Sequence, residues 1–372
     1  MLESICRKFL IEGEYRGFYE LKDGIINKSY KVIFFRDGED KEYVLQKINR
    51  NVFENPEKIM ENIIGITKHI RASIKSTGVS AKREVLHYCF TKDENSLYVD
   101  ENGDYWRCYR FIDNSIVFNS SDDLSIIENV GKAFGAFQLN LSDYDASSLF
   151  ESIPNFHNTK VRYKQLEDAI NKDKANKVAT VQEEIEFLRS VYDDATKLIT
   201  LNEQGEIPLR VTHNDTKCNN VCFDKDTLES LAVLDLDTVM PGLVAYDFGD
   251  AIRFIANNSA EDEVDTSKTY LDLSKYEAFC KGFISEIKDS LTEMEIKMMH
   301  HGVFAVTIEL ATRFLADYIN GNVYFKTCYP EHNLVRARCQ IALAKDVLKK
   351  QDKLKEIVLK YIWEKPRICV VF

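Results

Sequence analysis

The 372-residue sequence is poor in proline, with six, and in tryptophan, with two. It has no long hydrophobic run, whereas a membrane-spanning helix needs roughly 18 or more consecutive apolar residues, so none is expected. A basic surplus is also missing, since the formal charge is −11 at pH 7. Nucleic-acid backbones and anionic membranes both select a basic face, and neither is expected as a principal partner. The stretch Met1-Leu-Glu-Ser-Ile-Cys-Arg7 lacks the apolar core of a secretory signal, which points to a cytoplasmic protein. The cysteines Cys6, Cys89, Cys108, Cys218, Cys222, Cys280, Cys328, Cys339 and Cys369 follow no framework spacing and sit mostly among apolar residues, as reduced core thiols do. Cys218 and Cys222 flank the most polar loop, but no second Cys or His pair completes a metal set.

What is present is a chain that is 45% apolar and longer than one hydrophobic core usually serves, so two lobes are expected. The organising stretch is Arg210-Val-Thr-His-Asn-Asp-Thr-Lys-Cys-Asn-Asn-Val-Cys-Phe223, followed by the apolar run Leu231 to Leu234 that ends on Asp235 and Asp237. It sets His213, Asp215, Lys217 and Asn220 on a short loop and the last two carboxylates at the end of a buried strand. Phosphoryl transfer needs these groups: one carboxylate to orient and deprotonate the attacking hydroxyl, an amide oxygen on a metal, and a second carboxylate carrying Mg²⁺ between the phosphates. His213-x-Asp215 with Asn220 five residues on is the spacing of a kinase catalytic loop. Lys217 is placed to reach the γ-phosphate. The segment from Phe223 to Ser230 is long enough for a hairpin that returns Asp235 and Asp237 to the same end of a sheet as metal ligands.

Upstream, the chain alternates like strands and turns. Tyr15–Tyr19 and Ser29–Phe35 bracket the turn Leu21–Asn27, which contains Gly24 and Asn27, and Arg36-Asp-Gly38 predicts a hairpin into Glu42–Ile48. Gly24 permits close approach of phosphates, and Asn27 offers a donor beside it. Val44-Leu-Gln-Lys47 makes Lys47 the candidate for the α/β-phosphates, with Gln46 the alternative if the register is shifted by one. Asn55 and Pro56 open a helix with Ile59, Ile63, Ile66 and Ile70 on one stripe. Glu61, or Glu57, is the candidate to pair with the strand lysine, and a solvated charge is the alternative for either. The runs Glu84–Phe90 and Tyr105–Ile112 read as further strands, the second ending at a hinge over 113–115.

Beyond the hinge the pattern becomes helical. Val130, Phe134, Phe137 and Leu141 define an amphipathic helix over 126–141, and 161–170, 181–199, 296–318 and 334–362 follow the same period. These features predict an α+β fold with a small β-rich nucleotide-covering lobe over 1–113 and a large, mainly helical catalytic and substrate lobe over 114–372. Arg313 lies among apolar residues and must find acceptors, either Glu309 or a bound substrate. Phe254, in the run Ala-Ile-Arg-Phe-Ile255, suits the core. His300 and His301 are adjacent on a helix and diverge by about 100°, which excludes a shared metal.

Gly24-x-x-Asn27-x-x-Tyr30, His213-x-Asp215-x-x-x-x-Asn220, Asp235-x-Asp237 and Tyr246-Asp-Phe-Gly249 resemble the aminoglycoside phosphotransferase and choline kinase superfamily, of bilobal protein-kinase-like fold. Tyr43–Asn49, Met60–Ile63, Ile153–Thr159 and Thr312–Tyr318 resemble its N-acetylhexosamine 1-kinase branch, which phosphorylates GlcNAc and GalNAc at the anomeric oxygen with ATP and Mg²⁺. The resemblance implies Asp215 as base, Asn220 and Asp235 as metal ligands, and Phe254 and Arg313 in the sugar pocket. Relatives acting on choline, homoserine or aminoglycosides give the alternative substrate class. A nucleotide-sensing protein without catalysis gives a different function altogether. The oligomeric state is not written in these motifs.

Overall fold

The protein is described here from a computed structural model, covering residues 2–21 and 26–363. Its chain divides into two compact units, the first gathering Met1–Val117, Asp143–Pro154 and Val221–Pro241, the second Phe118–Ser142, Asn155–Asn220 and Gly242–Phe372. The division is therefore not a single cut, since the strands that precede Asp235 fold with the N-terminal region.

The first unit is built on an antiparallel sheet of β1 (Glu14–Leu21), β2 (Lys28–Arg36), β3 (Glu39–Lys47), β4 (Tyr88–Cys89), β5 (Tyr98–Val99) and β6 (Tyr105–Arg110), in the order β1-β2-β3-β6-β4 with β5 also on β6. Asp37 and Gly38 both have positive φ, 56° and 87°, and join β2 to β3 with Arg36 opposite Glu39. That is the two-residue turn whose twist matches flanking strands, and it is why Asp-Gly predicts a hairpin here. The expected strand at 84–90 shrinks to Tyr88–Cys89.

One face of the sheet buries Val32, Phe34, Leu45, Trp106 and Cys108 against Ile5 and Cys6 of α1 (Leu2–Cys6) and against Phe9. Because side chains alternate along a strand, Gln46 and its register partner Arg107 point to the other face. There Arg107 Nη1 reaches Met60 Sδ, 3.8 Å away on α2 (Pro56–Ser76). The helix starts at Pro56 as expected and buries Ile59, Ile63, Ile66 and Ile70 on one stripe, although Asn55 makes no side-chain cap bond. A second, three-stranded antiparallel sheet joins β7 (Ser115–Val117) to the strands Val221–Asp224 and Ser230–Val233.

The second unit is helical. Asp123 caps α3 (Leu124–Asn140) and Asn158 caps α4 (Thr159–Lys172), each side chain accepting a backbone N–H of the first turn. The helix expected over 181–199 is divided into α5 (Gln182–Ser190), α6 (Tyr192–Ala195) and α7 (Lys197–Glu203). After α8 (Val244–Ile255) and α9 (Leu273–Ile287), the run expected over 296–318 is split between α10 (Glu293–Met298) and α11 (His301–Ile319). The last helix, α12, spans His332–Trp363.

Two glycines bring the backbones of α8 and α11 together. A Cβ on Gly302 would lie 1.8 Å from the Ala245 carbonyl oxygen, and one on Gly249 2.3 Å from that of Gly302. No side chain fits at either place, and the contact sets α8 firmly against α11. Phe248, on α8, is further held by edge contacts with Tyr276, Phe279 and Phe283.

Candidate active site

In the second unit, α8 organises the loop 213–220. Asp247 is buried, and its two carboxylate oxygens accept the backbone N–H groups of His213 and Asn214, both at 2.8 Å, while Gln138 Nε2 donates at 2.6 Å. Burial pushes the Asp247 pKa up, and these donors oppose that push. One turn later, Asp250 accepts the Thr216 N–H at 3.1 Å, and the Thr216 hydroxyl donates to the Asp247 carbonyl at 2.7 Å. Asn214 takes the left-handed conformation, φ 63°. The His213 ring packs edge-on between Phe134 and Phe137, and its Nδ1 accepts the Asp215 N–H at 3.3 Å. His213 thus shapes the loop from within.

Asp215 is half-buried, with Lys217 Nζ 2.6 Å from Oδ1. Burial alone would lower the Lys217 pKa, but the charge and hydrogen bond of Asp215 outweigh it and raise it, so the lysine is a cation. Asn220 Nδ2 donates to the Asp215 carbonyl at 2.8 Å and to its Oδ2 at 3.3 Å. Its amide oxygen is left without a partner among the described residues. Asp215, Lys217 and Asn220 therefore form one cluster, as their spacing predicts. Arg253, buried on α8, donates to Asp250 at 2.9 Å and to Glu261 at 3.1 Å; burial would lower its pKa, but the charges of Asp250 and Glu261, with a smaller contribution from Asp215, raise it. Asp250 and Arg253 belong to no kinase motif spacing, although an Asp and an Arg three apart on a helix (i, i+3) are a recognisable pair.

The same unit carries the expected substrate residues. Glu309 is not the partner of Arg313: Oε1 lies 3.0 Å from His157 Nδ1, and Oε2 accepts the Thr159 hydroxyl at 3.1 Å. His157 Nε2 faces the Asn214 carbonyl at 3.3 Å, so both ring nitrogens meet acceptors. Burial lowers the His157 pKa, but Glu309 more than offsets it and the net shift is upward. That favours the doubly protonated ring. Arg313 lies over three rings instead, Phe156 at 5.6 Å, Tyr324 at 5.9 Å and Phe325 at 5.4 Å. No carboxylate or hydrogen-bond acceptor engages it among the described residues. The loop bearing two of those rings is pinned by buried Asp317, which accepts the N–H groups of Val323, Tyr324 and Phe325, each at 2.9 Å. Phe254 is 36% exposed on α8 while its neighbours Arg253 and Ile255 are buried, so it is not a core residue.

In the first unit, Asp235 is exposed on a left-handed backbone, φ 54°, at the end of the strand Ser230–Val233. Asp237, expected at the metal, has other partners. It is 2% exposed, Arg107 grips both its oxygens, with Nη2 donating at 2.9 Å, and Asn27 Nδ2 donates to Oδ2 at 2.7 Å. Burial would lower the Arg107 pKa, and the Asp237 carboxylate raises it well beyond the ordinary guanidinium value.

Gln46 Oε1 accepts from Arg107 Nε at 2.9 Å, and Gln46 Nε2 donates to Ser29 Oγ at 2.9 Å. Lys47, on the opposite face, pairs with Asp104. The alternative register therefore describes β3, and Gln46 rather than Lys47 shares a face with Asn27 and Asp237. Glu61 does not meet Lys47; it is exposed and pairs with Lys58 at 2.8 Å on its own helix. Gly24 lies outside the described residues. Arg107 was missed because Trp-Arg-Cys in a strand carries no motif, and only the pairing of β3 with β6 sets it opposite Gln46.

Similar folds occur in solved structures. An aminoglycoside phosphotransferase from Alicyclobacillus acidocaldarius has a TM-score of 0.60 at 10% identity, over 96% of each chain. A choline kinase from Cryptosporidium parvum has a TM-score of 0.54 at 12% identity, over 98% of this chain and 99% of the other. A spectinomycin phosphotransferase solved with ADP and spectinomycin has a TM-score of 0.51 at 13% identity, over 97% of each chain. At such identities the likeness concerns the fold alone, which is the kinase-like α+β fold expected from the strand and helix pattern. The sequence also matches the model of the phosphotransferase enzyme family over residues 20–279, a span that takes in β3, α2, the Asp215 loop, Asp235 and α8. With a match over well more than half of its length, the chain belongs to the phosphotransferase enzyme family.

Proposed function

We infer that the protein transfers the γ-phosphate of ATP to the anomeric hydroxyl of an N-acetylhexosamine, GlcNAc or GalNAc, giving the sugar 1-phosphate. The observation that carries the acceptor class is the surroundings of Arg313. Three aromatic rings face a guanidinium there. Aromatic cages recognise quaternary ammonium groups, but this one already holds a cation and would repel choline, ethanolamine or an aminoglycoside ammonium. A neutral, hydroxyl-rich acceptor with an acetamide offers the hydrogen-bond acceptors that Arg313 lacks, and exposed Phe254 offers a face for a pyranose ring. ADP bound to the spectinomycin phosphotransferase of similar fold supports a nucleotide donor.

In this reading Asp215 accepts the proton of the attacking hydroxyl. An anomeric hydroxyl is more acidic than an ordinary alcohol, so a carboxylate is a sufficient base. Lys217 holds Asp215 in place and supplies positive charge toward the transferred phosphoryl group, while Asn220 orients the same carboxylate. Each unit by itself offers an oxygen donor of the kind a hard divalent cation takes, the Asn220 amide oxygen in the second and the exposed Asp235 carboxylate in the first. No group of three or more His, Cys, Asp or Glu forms a ready-made cage among the described residues. Mg²⁺ characteristically takes one or two protein oxygens with phosphates and water, and when bound it supplies charge neutralisation across the phosphates. Asp237 does not fit as a ligand, because Arg107 and Asn27 occupy it.

The test is the product. Phosphorylation at the anomeric oxygen locks C1, so the phosphorylated sugar made from ATP, Mg²⁺ and GlcNAc or GalNAc is expected to be non-reducing. A reducing phosphosugar would refute the 1-kinase reading. Turnover of choline or an aminoglycoside but not of either sugar would refute the acceptor class.

A further inference from the structure

Arg107 is among the most thoroughly buried side chains of the described residues, at 1% exposure, and its charge is spent on Asp237. An ion pair so deep in the protein gives up the hydration of two charges, and apolar residues of similar volume serve stability as well or better. Its partners show what it does instead. Arg107 on β6 bonds Gln46 of β3 and Asp237, and Asp237 in turn accepts from Asn27, whose Oδ1 accepts the Asn49 N–H at 3.0 Å. Asp237 lies in the short 3₁₀ turn Leu236–Thr238, immediately after Asp235 with its left-handed backbone. The far side of that turn is held from α2, where Asn62 Nδ2 donates to the Val239 carbonyl at 3.1 Å. The segment presenting Asp235 is therefore anchored at both Asp237 and Val239, and a left-handed aspartate persists where its surroundings over-determine it.

We propose that Arg107 is a positioning residue for the nucleotide-bound cation: through Asp237 it fixes Asp235, and through the same carboxylate it ties Asn27, at the start of β2, to the cation-binding turn. The ligand class is the divalent-metal complex of a nucleoside di- or triphosphate, so the proposal rests on the phosphotransferase reading. Supporting residues behind metal ligands typically change metal affinity about 10- to 100-fold when lost. Arg107 stands behind Asp235 in that sense.

The experiment measures binding without turnover, using Mn²⁺ with ADP on the full chain, with bound Mn²⁺ read by electron paramagnetic resonance. Arg107→Met alone would leave Asp237 buried and uncompensated, and that variant is prone to unfold. The double variant Arg107→Met with Asp237→Leu removes both charges and is expected to keep the wild-type circular dichroism. Its Mn²⁺ affinity in the presence of ADP is expected to fall about 10- to 100-fold, with metal-free ADP binding within about threefold. Arg107→Lys, which keeps the charge but not the two-pronged grip, is expected to fall between. Should the double variant not fold, Asn27→Ser keeps the ion pair, removes one donor to Asp237, and is expected to weaken Mn²⁺ binding toward the tenfold end.

If the wild type binds Mn²⁺-ADP and the folded variants bind it equally well, the clasp is structural and the proposal is overturned while the nucleotide reading stands. A wild type that binds no Mn²⁺-ADP overturns both. Those two failures are told apart by the wild-type titration alone.

Discussion

Replacing Asp215 by Asn tests the proposed base with little change of shape. The carboxylate makes an ion pair with Lys217 at 2.6 Å and accepts from Asn220 at 3.3 Å, and the side chains of Asp215 and Lys217 are 24% and 34% exposed. Pairs with this much solvent contribute roughly 0–1 kcal/mol, so the melting temperature is expected to move by no more than about 2–4 °C. The buried anchors at Asp247 and Asp250 are untouched, and the loop should keep its course. Catalysis is affected far more. An amide cannot take the proton of the attacking hydroxyl, and loss of a general base typically costs about 10²- to 10⁴-fold in kcat, or ~2.7–5.5 kcal/mol of barrier. Nucleotide affinity should stay within a few-fold, because the carboxylate acts on the acceptor. The assay is ADP release with GlcNAc as acceptor, beside calorimetric ADP binding and thermal melting of the same variant. Turnover within a few-fold of wild type in a folded Asp215→Asn protein would refute the assignment. A collapse of melting temperature would instead show that the estimate of a weak, solvent-softened pair was wrong.

Asp235→Ala is expected to abolish activity even at a large excess of Mg²⁺, and full rescue by added metal would show that this carboxylate is not an essential ligand. Arg313→Ala is expected to raise the KM for the sugar about tenfold or more, the cost of a charged hydrogen bond, with the KM for ATP little changed. An unchanged sugar KM would return Arg313 to a purely aromatic contact. The pKa of His157 is raised in the folded chain, after burial has been outweighed by Glu309. The stability contributed by that pair is therefore fully present below the ordinary histidine value of about 6.5 and is lost as pH rises through the higher folded value. Melting temperatures followed from about pH 6 to pH 9 should fall more in wild type than in His157→Gln, and parallel curves would contradict the linkage.

Local pattern was sufficient for much of this protein. The Asp37-Gly38 turn, the isoleucine stripe of α2 and the phenylalanine stripe of α3 follow from chain neighbours and their periodicity, and the structure has each of them. The cluster of Asp215, Lys217 and Asn220 was equally legible, because residues two and five apart on a tight loop cannot stray far from one another. Its anchors were less so: Asp247 and Asp250 act on backbone N–H groups more than thirty positions away, through the packing of α8.

The sheet exposed the limit of local pattern. Lys47 and Gln46 are adjacent, and the two-residue period of a strand sends them to opposite faces. Which face meets Asp237 was settled by the pairing of β3 with β6 and by α2 across it, and Gln46 took that side with Arg107 opposite. The partners of charged side chains were decided in the same way. Asp237 went to Arg107, 130 positions away, and Glu309 to His157, 152 positions away, which left Arg313 among aromatic rings. Sequence by itself determined the groups that carry charge and the short segments that present them. Tertiary structure alone decided which opposite charges neutralise one another in the interior, because a buried charge is stable only beside a partner, and that partner is chosen by whichever elements the fold packs together.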